Sequence, residues 1–362
     1  MSTTTLTSAV TDAERVATIK AAIRAESERV RARWGFLRHQ DAIGAAIMAL
    51  SVAGMIASGW AYAAGAIPWW VCIPMSAIFA SFIHELEHDL IHTLYFRKNP
   101  IAYHLMMALC WITRPSTVSP WVRRRLHLHH HKYSGTESDL EERAITNGER
   151  WGLRRLLMTG DHMLAVLLRQ RMMHDTVKAF IKAQQPTSRE EVQMLIKEQR
   201  RGFVPLSLLH YAIWYGFLGY HAVALGFAAA GTPLATSAFM NVIDTIVVVW
   251  LAPNVLRVFC LHFVSSNMHY YGDIDTNNIV QQCQVLNPWW LWPAQLFCFN
   301  FGATHAIHHF VVNQPFYVRQ LTARAAHRVM RDNGVRFNDY GVFGRANRWG
   351  ALEAATPKTA TA

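Results

Sequence analysis

Charge all but vanishes from four long stretches of the 362-residue chain and returns between them. Ile43–Ala63 holds no charged residue, and Ile67–Ile83 runs apolar up to His84. Phe203–Ala230 has His210 and His221 as its polar marks, and Ala235–Leu261 contains Asp244 and, near its end, Arg257. About 20 consecutive apolar residues cross a bilayer as a helix, so the pattern predicts four spanning helices. The turns Ala64–Gly65–Ala66 and Gly231–Thr232–Pro233 pair them into two hairpins. Ile101–Thr113 and Val285–Gly302 are shorter apolar runs that predict interfacial or re-entrant segments.

The polar segments are patterned too. Thr11 and Glu14 form a T-x-x-E capping box that opens a helix reaching about Trp34. Its charged stretch precedes the first apolar run, so no cleavable leader is expected. From Glu141 to Arg201 the chain is basic, with apolar residues at helical spacing, among them Leu153, Leu156, Leu157, Leu164 and Leu168. These predict helices lying under the membrane. The expected fold is an all-α integral membrane protein: four transmembrane helices in two hairpins, with a helical cytoplasmic cap. Residues 1–40 form an N-terminal helix, 41–315 the membrane unit and 316–362 a C-terminal tail.

Charge then orients the fold. The 35 Lys and Arg against 24 Asp and Glu give a net charge of +11, which by itself would suggest nucleic acid. However, 52% of residues are hydrophobic and only 16% charged, against about 25% charged in a soluble domain. No Lys or Arg falls in either hairpin turn. Lys and Arg mark cytoplasmic loops, so both termini and the long middle segment are predicted to be cytoplasmic. Their charge then faces anionic lipid headgroups, and nucleic acid is not an expected partner. The five Cys include no CxxC pair, which argues against a disulfide framework, a zinc ribbon or a Cys-held iron–sulfur centre.

Candidate chemistry rests on histidine. Most of the 19 His cluster, as His84-x-x-x-His88, His127-x-x-His130-His131 and His305-x-x-His308-His309. Residues i, i+3 and i+4 share a helix face, so each cluster presents imidazoles in one direction. Buried neutral imidazoles need partners, and a metal such as iron, zinc or copper satisfies them together. Eight ligands are too many for one ion and suit two. All three clusters lie at cytoplasmic ends of apolar runs, so they can meet at one membrane surface.

The three boxes, in this order and with a spanning hairpin before the third, resemble the membrane fatty acid desaturase and hydroxylase superfamily. Residues 265–272, Ser-Ser-Asn-Met-His-Tyr-Tyr-Gly, are similar to the segment that supplies a ninth histidine in acyl-lipid desaturases, here His269. The resemblance covers roughly residues 40 to 315. It implies two non-haem iron ions, dioxygen as co-substrate, and a membrane lipid or acyl chain as substrate. It also implies a separate electron carrier of ferredoxin, rubredoxin or cytochrome b5 type with its reductase. Where an Asn precedes the ninth His by four residues in the acyl-CoA branch, this chain has Ser265, with Asn267 two positions on. The first box is similar to that of alkane and xylene hydroxylases as well as several desaturases, so double-bond formation and hydroxylation both stand as outcomes.

Other residues take supporting parts. His92 continues the stripe 84–88–92 and stands among the ligands or just behind them. His129, two residues after His127, points away. Carboxylates commonly orient metal-bound imidazoles; Asp139 and Asp273 are the expected pair, with His262 and Asn267 nearby in sequence. An alkyl substrate needs an apolar groove, for which Trp111, Phe259, Phe263 and Phe301 flank the boxes. Two rival readings remain. His84-Glu85-Leu86-Glu87-His88 is a literal HExxH, as in zinc proteases, but zinc needs only one further protein ligand, leaving the other boxes unexplained. A metal transporter would place its histidines near the bilayer midplane, where only His210, His221 and Asp244 fall.

Overall fold

The computed structural model describes residues 10–202 and 206–350. The predicted start of the third span at Phe203 and the last twelve residues of the expected tail lie outside the described residues. The helices in chain order are α1 (Asp12–Arg33), α2 (Gln40–Ala63), α3 (Trp69–Ile91), α4 (Pro100–Thr113), α5 (Pro120–Tyr133), α6 (Leu140–Ala144), α7 (Leu153–Met158), α8 (Asp161–Ala165), α9 (Gln170–Ala183) and α10 (Arg189–Arg201). They continue as α11 (Leu206–Ala229), α12 (Ala238–Ile246), α13 (Ala252–Met268), α14 (Trp292–Leu296), α15 (Phe301–Phe310), α16 (Phe316–Asp332) and α17 (Gly341–Gly344). No strand occurs among the described residues; only two isolated bridges do, His269 with Cys283 and Val285 with Phe337.

Four helical stretches are long and apolar enough to cross a membrane: α2, α3, α11 and the run Ala238–Met268. α2 packs along α3, and a Cβ at Gly54 would collide with the Phe79 ring, so the close approach requires glycine. Ala238–Met268 joins α12 to α13 through a π-helical turn, Val247–Leu251. Pro253 lies in the first turn of α13. Proline has no N–H to give to the preceding turn, and a widened π turn absorbs that lost bond. α11 stays mostly exposed, as a helix meeting lipid does.

Three features of the helices position the site. α3 does not stop at Ile83 but carries its helix through the first histidine box, whose residues are buried. α4 has only 14 residues, about 21 Å of helix; it is too short to span and lies against α3. The apolar run from Val285 is not one helix. It breaks at Phe299 and Asn300, both at positive φ (49° and 55°), before α15 begins. Non-glycine residues adopt that conformation at a cost, and here the break lets α15 turn back into the protein with the third box.

The segment expected as a tail is part of the core. α16 packs on α1, and Ile19 and Ile23 share a buried cluster with Ala306, Ile307, Ala326 and Met330. Arg319 of α16 is buried and places Nη2 3.1 Å from both Glu85 and Asp89 on α3. Asp89 also accepts the Phe316 N–H (2.8 Å) and the Tyr95 hydroxyl (3.0 Å). The sequence shows no long apolar run after 315; the contact with α3 combines these charges with Phe316, which is buried in one cluster with Ile83, Leu86 and Leu90.

Candidate metal centre

The histidine-bearing helices α3, α5 and α15, with the residue that ends α13, converge on two adjacent groups of imidazoles. One holds His88, His92, His127 and His308; the other holds His130, His269, His305 and His309. Within each group the nearest nitrogens all lie within 4.8 Å of one another. His131 sits at the edge of the first group, its Nε2 3.1 Å from that of His127 and 3.0 Å from that of His308. Its ring centroid is 5.0 Å from that of His309, so it also borders the second. His129 turns away as the helical spacing requires, towards Ser138 and Gln184.

The hydrogen bonds at the outer nitrogens fix what the inner ones can do. His127 Nδ1 donates to Glu141 (2.8 Å) and His130 Nδ1 to Asp139 (2.9 Å). His309 Nδ1 donates to Gln282 Oε1 (2.9 Å), and His269 Nδ1 lies 3.0 Å from the Ser265 carbonyl and 3.1 Å from Glu142. A neutral imidazole that donates through Nδ1 keeps a lone pair at Nε2. Their Nε2 atoms face inward: His309 lies 3.3 Å from His269 and 3.1 Å from His305, and His127 lies 2.9 Å from His92, each measured between Nε2 atoms. The lone pairs of His309 and His269, both of which donate through Nδ1, repel unless a cation lies between them. A metal about 2.0–2.1 Å from each imidazole nitrogen matches such spacings. His88 supplies two further buried nitrogens with no partner, and His130 Nε2 another. The residues therefore fit two metal ions.

Electrostatics agree for the third box. Burial, then neighbouring imidazoles, hold His305, His308 and His309 well below their ordinary value, which keeps them neutral and able to ligate. His130 differs: burial presses it down, but the Asp139 carboxylate outweighs that and lifts it to about 9.

The site departs from the sequence expectation in several places. His84 is not brought into either group, whereas His92 is. A guanidinium can only donate, so His84 Nδ1, 3.2 Å from Arg114 Nη1 and 3.3 Å from Arg123 Nη1, must accept. In that tautomer the proton sits on Nε2, which is buried without a partner. The stripe 84–88–92 runs along α3 to its C-cap, and His88 and His92 are the two that lie in the first group. Asp139 orients His130 as expected. Asp273 does not touch a histidine; it accepts the N–H groups of Trp349 and Gly350 and pins the C-terminal segment instead. Asn267 accepts from the Trp151 indole (2.9 Å), and His262 Nδ1 lies 3.1 Å from the Thr159 carbonyl; neither reaches the metal groups.

Glu141, Glu142 and Gln282 are the orienting residues that sequence reasoning missed. Asp139, Glu141 and Glu142 lie in or just before α6, so a single turn serves three imidazoles. The signal was the run Asp139-Leu-Glu-Glu eight residues after the second box.

A cavity of about 180 Å³ reaches both groups, touching His88 and His127 of one and His130 and His305 of the other. Phe301 lines it, but Trp111, Phe259 and Phe263 do not. Phe263 packs between Trp151 and Phe343, and Trp111 meets Trp121. The walls are not purely apolar as an alkyl groove would have it: Arg114, Arg123, Arg169 and Arg257 stand beside Val118, Leu126, Val258 and Leu261.

Comparison with curated proteins gives no match. The model of the fatty acid desaturase family matches residues 64–341, well over half the chain and all three histidine clusters. That family implies oxidoreductase chemistry on lipid, and its membrane setting agrees with the four apolar helices. The chain belongs to the fatty acid desaturase family.

Proposed function

We propose that the chain is a diiron, dioxygen-dependent desaturase that introduces a double bond into the alkyl chain of a fatty acyl lipid. The observation that supports this most is the convergence of imidazoles into two neighbouring groups while the Nδ1 atoms of His127, His130, His269 and His309 donate outward. His88, His92, His127 and His308 would hold one iron, with His131 beside them; His130, His269, His305 and His309 would hold the other. Iron bound there supplies the dioxygen activation that attacks an unactivated C–H bond. The protein's own residues do the positioning. Asp139, Glu141, Glu142 and Gln282 aim the imidazoles, the buried ion pairs of Arg319 fix α3 against α16, and the cavity brings substrate to both groups while excluding bulk water.

The termini and the site are taken as cytoplasmic, with electrons arriving from a separate carrier and reductase. Purified protein given dioxygen and NAD(P)H alone should then be inactive, and a ferredoxin, rubredoxin or cytochrome b5 with its reductase should restore turnover. Glu85 speaks against the protease reading: it is ion-paired with Arg319 rather than free to activate water.

Metal and product analysis together test the proposal. Iron near two per chain and a lipid product 2 Da lighter would support it. A product 16 Da heavier would make the protein a hydroxylase of the same family, and one zinc per chain without lipid oxidation would overturn the reading.

A further inference from the structure

The four arginines of the cavity are not equivalent. Arg114 contacts Glu87; Arg123 reaches Glu87 (2.9 Å) and Glu141 (3.2 Å); Arg169 contacts Asp161. Arg257 has no ion-pair partner among the described residues. Its Nε donates to Asn254 Oδ1 at 2.8 Å, and its Nη1 is buried with no hydrogen bond at all. The residue is only 2% exposed, lies within a spanning segment and lines the cavity that touches both histidine groups. Taking a guanidinium out of water is costly unless an opposite charge meets it, and ionisable groups at membrane depth are retained for function. Asn254 is itself committed to the Pro115 carbonyl through Nδ2, so it fixes Arg257 but cannot neutralise it.

We infer that Arg257 receives an oxyanionic end of the substrate, so that the charged end of the lipid enters this cavity and the chain does not thread it with only methylenes. A planar guanidinium pairs with a carboxylate or a phosphate through two parallel hydrogen bonds. One unpaired cation matches one negative charge, and a fatty carboxylate is the simplest occupant. His84 Nε2 and Arg169 Nε, also buried without a partner on residues lining the cavity, are available to the same end. The inference rests on the cavity being the substrate's, as proposed above, and binding measured without turnover separates the failure of one from the failure of the other.

The test uses metal-loaded full-length protein in nanodiscs, with palmitate, hexadecyl phosphate and methyl palmitate as probes. Ligands that bind the folded state raise the unfolding temperature. Palmitate or the phosphate should raise it and methyl palmitate should not; the better of the two identifies a carboxylate or a phosphate headgroup. Arg257→Gln should cut the preference for the charged probe over the ester by about tenfold or more, and Arg257→Lys should recover part of it, with metal content retained in both. Equal binding of methyl palmitate and the charged probes by the wild-type protein would overturn the inference whatever the variants do. So would an Arg257→Gln variant with full metal and unchanged preference.

Discussion

The first histidine group draws on all three boxes and the second on the last two together with His269, and the two are held differently. In the second group three of four outer nitrogens are fixed: His130 by Asp139, His309 by Gln282, and His269 by Glu142 and the Ser265 carbonyl. All four of its imidazoles are buried. In the first group only His127 has a carboxylate, Glu141, behind it. His88 and His308 have no partner at Nδ1, and His92 is only partly buried. Preorganised ligands lose less freedom on binding, so the second group should bind its metal more tightly, while the first can rearrange as the reaction demands.

The largest effect expected is from His309→Ala, which removes a ligand from the rigid group. Iron should fall sharply and lipid oxidation should drop below detection, while the protein remains in the membrane fraction. Full iron and turnover in this variant would remove the second group from the site. His92→Ala and His84→Ala sharpen the reading of the first box. With His92 replaced, metal should fall from about two per chain towards about one, since a four-imidazole set loses a member. With His84 replaced, both ions should stay, because its Nδ1 accepts from two arginines. If instead His84→Ala loses metal and His92→Ala does not, the box lies where the sequence first suggested.

That difference shows how much the sequence makes legible. The four spans could be read because lipid demands long apolar runs, and the chain obeys. Histidine clustering pointed to metal because three boxes at helical spacing have no cheaper explanation. The choice among His84, His88 and His92 could not be read. All three share a face of α3, and what separates them is a pair of arginines that arrives from α4 and α5. Asp273 fails for a related reason: closeness in sequence to His269 says nothing of direction, and the chain turns at Gly272 (φ 88°) before reaching it. Arg319 was invisible as a core residue because its burial rests on ion pairs with Glu85 and Asp89, which hydrophobic patterning does not reveal.

Removing the supports rather than the ligands tests the asymmetry itself. Partners behind metal-bound imidazoles are worth about ten- to a hundredfold in metal affinity or activity. Asp139→Asn and Glu142→Gln should each lie in that range, measured by competition with a chelator. The same chelator, used on the wild-type protein, should strip iron in two phases, the first group emptying before the second. A single phase would mean that the groups do not differ in affinity.

Glu141→Gln should have the smallest effect of the series. Burial works to raise Glu141, but His127 and Arg123 outweigh it and hold it below the ordinary carboxylate range, so the substitution does remove a charge. Yet the side chain of Glu141 is 17% exposed, against 0% for Asp139. Solvent screens the lost charge more readily at the exposed position, and the new amide keeps an oxygen to accept from His127 Nδ1. Arg123 retains Glu87 as a second partner when Glu141 is neutral. Metal affinity of the first group should therefore fall only about a few-fold, towards the lower end of the range for such partners, with the second group unaffected. If Glu141→Gln weakens metal as much as Asp139→Asn does, the first group is as dependent on its single support as the second is on three, and the contrast in rigidity does not govern affinity.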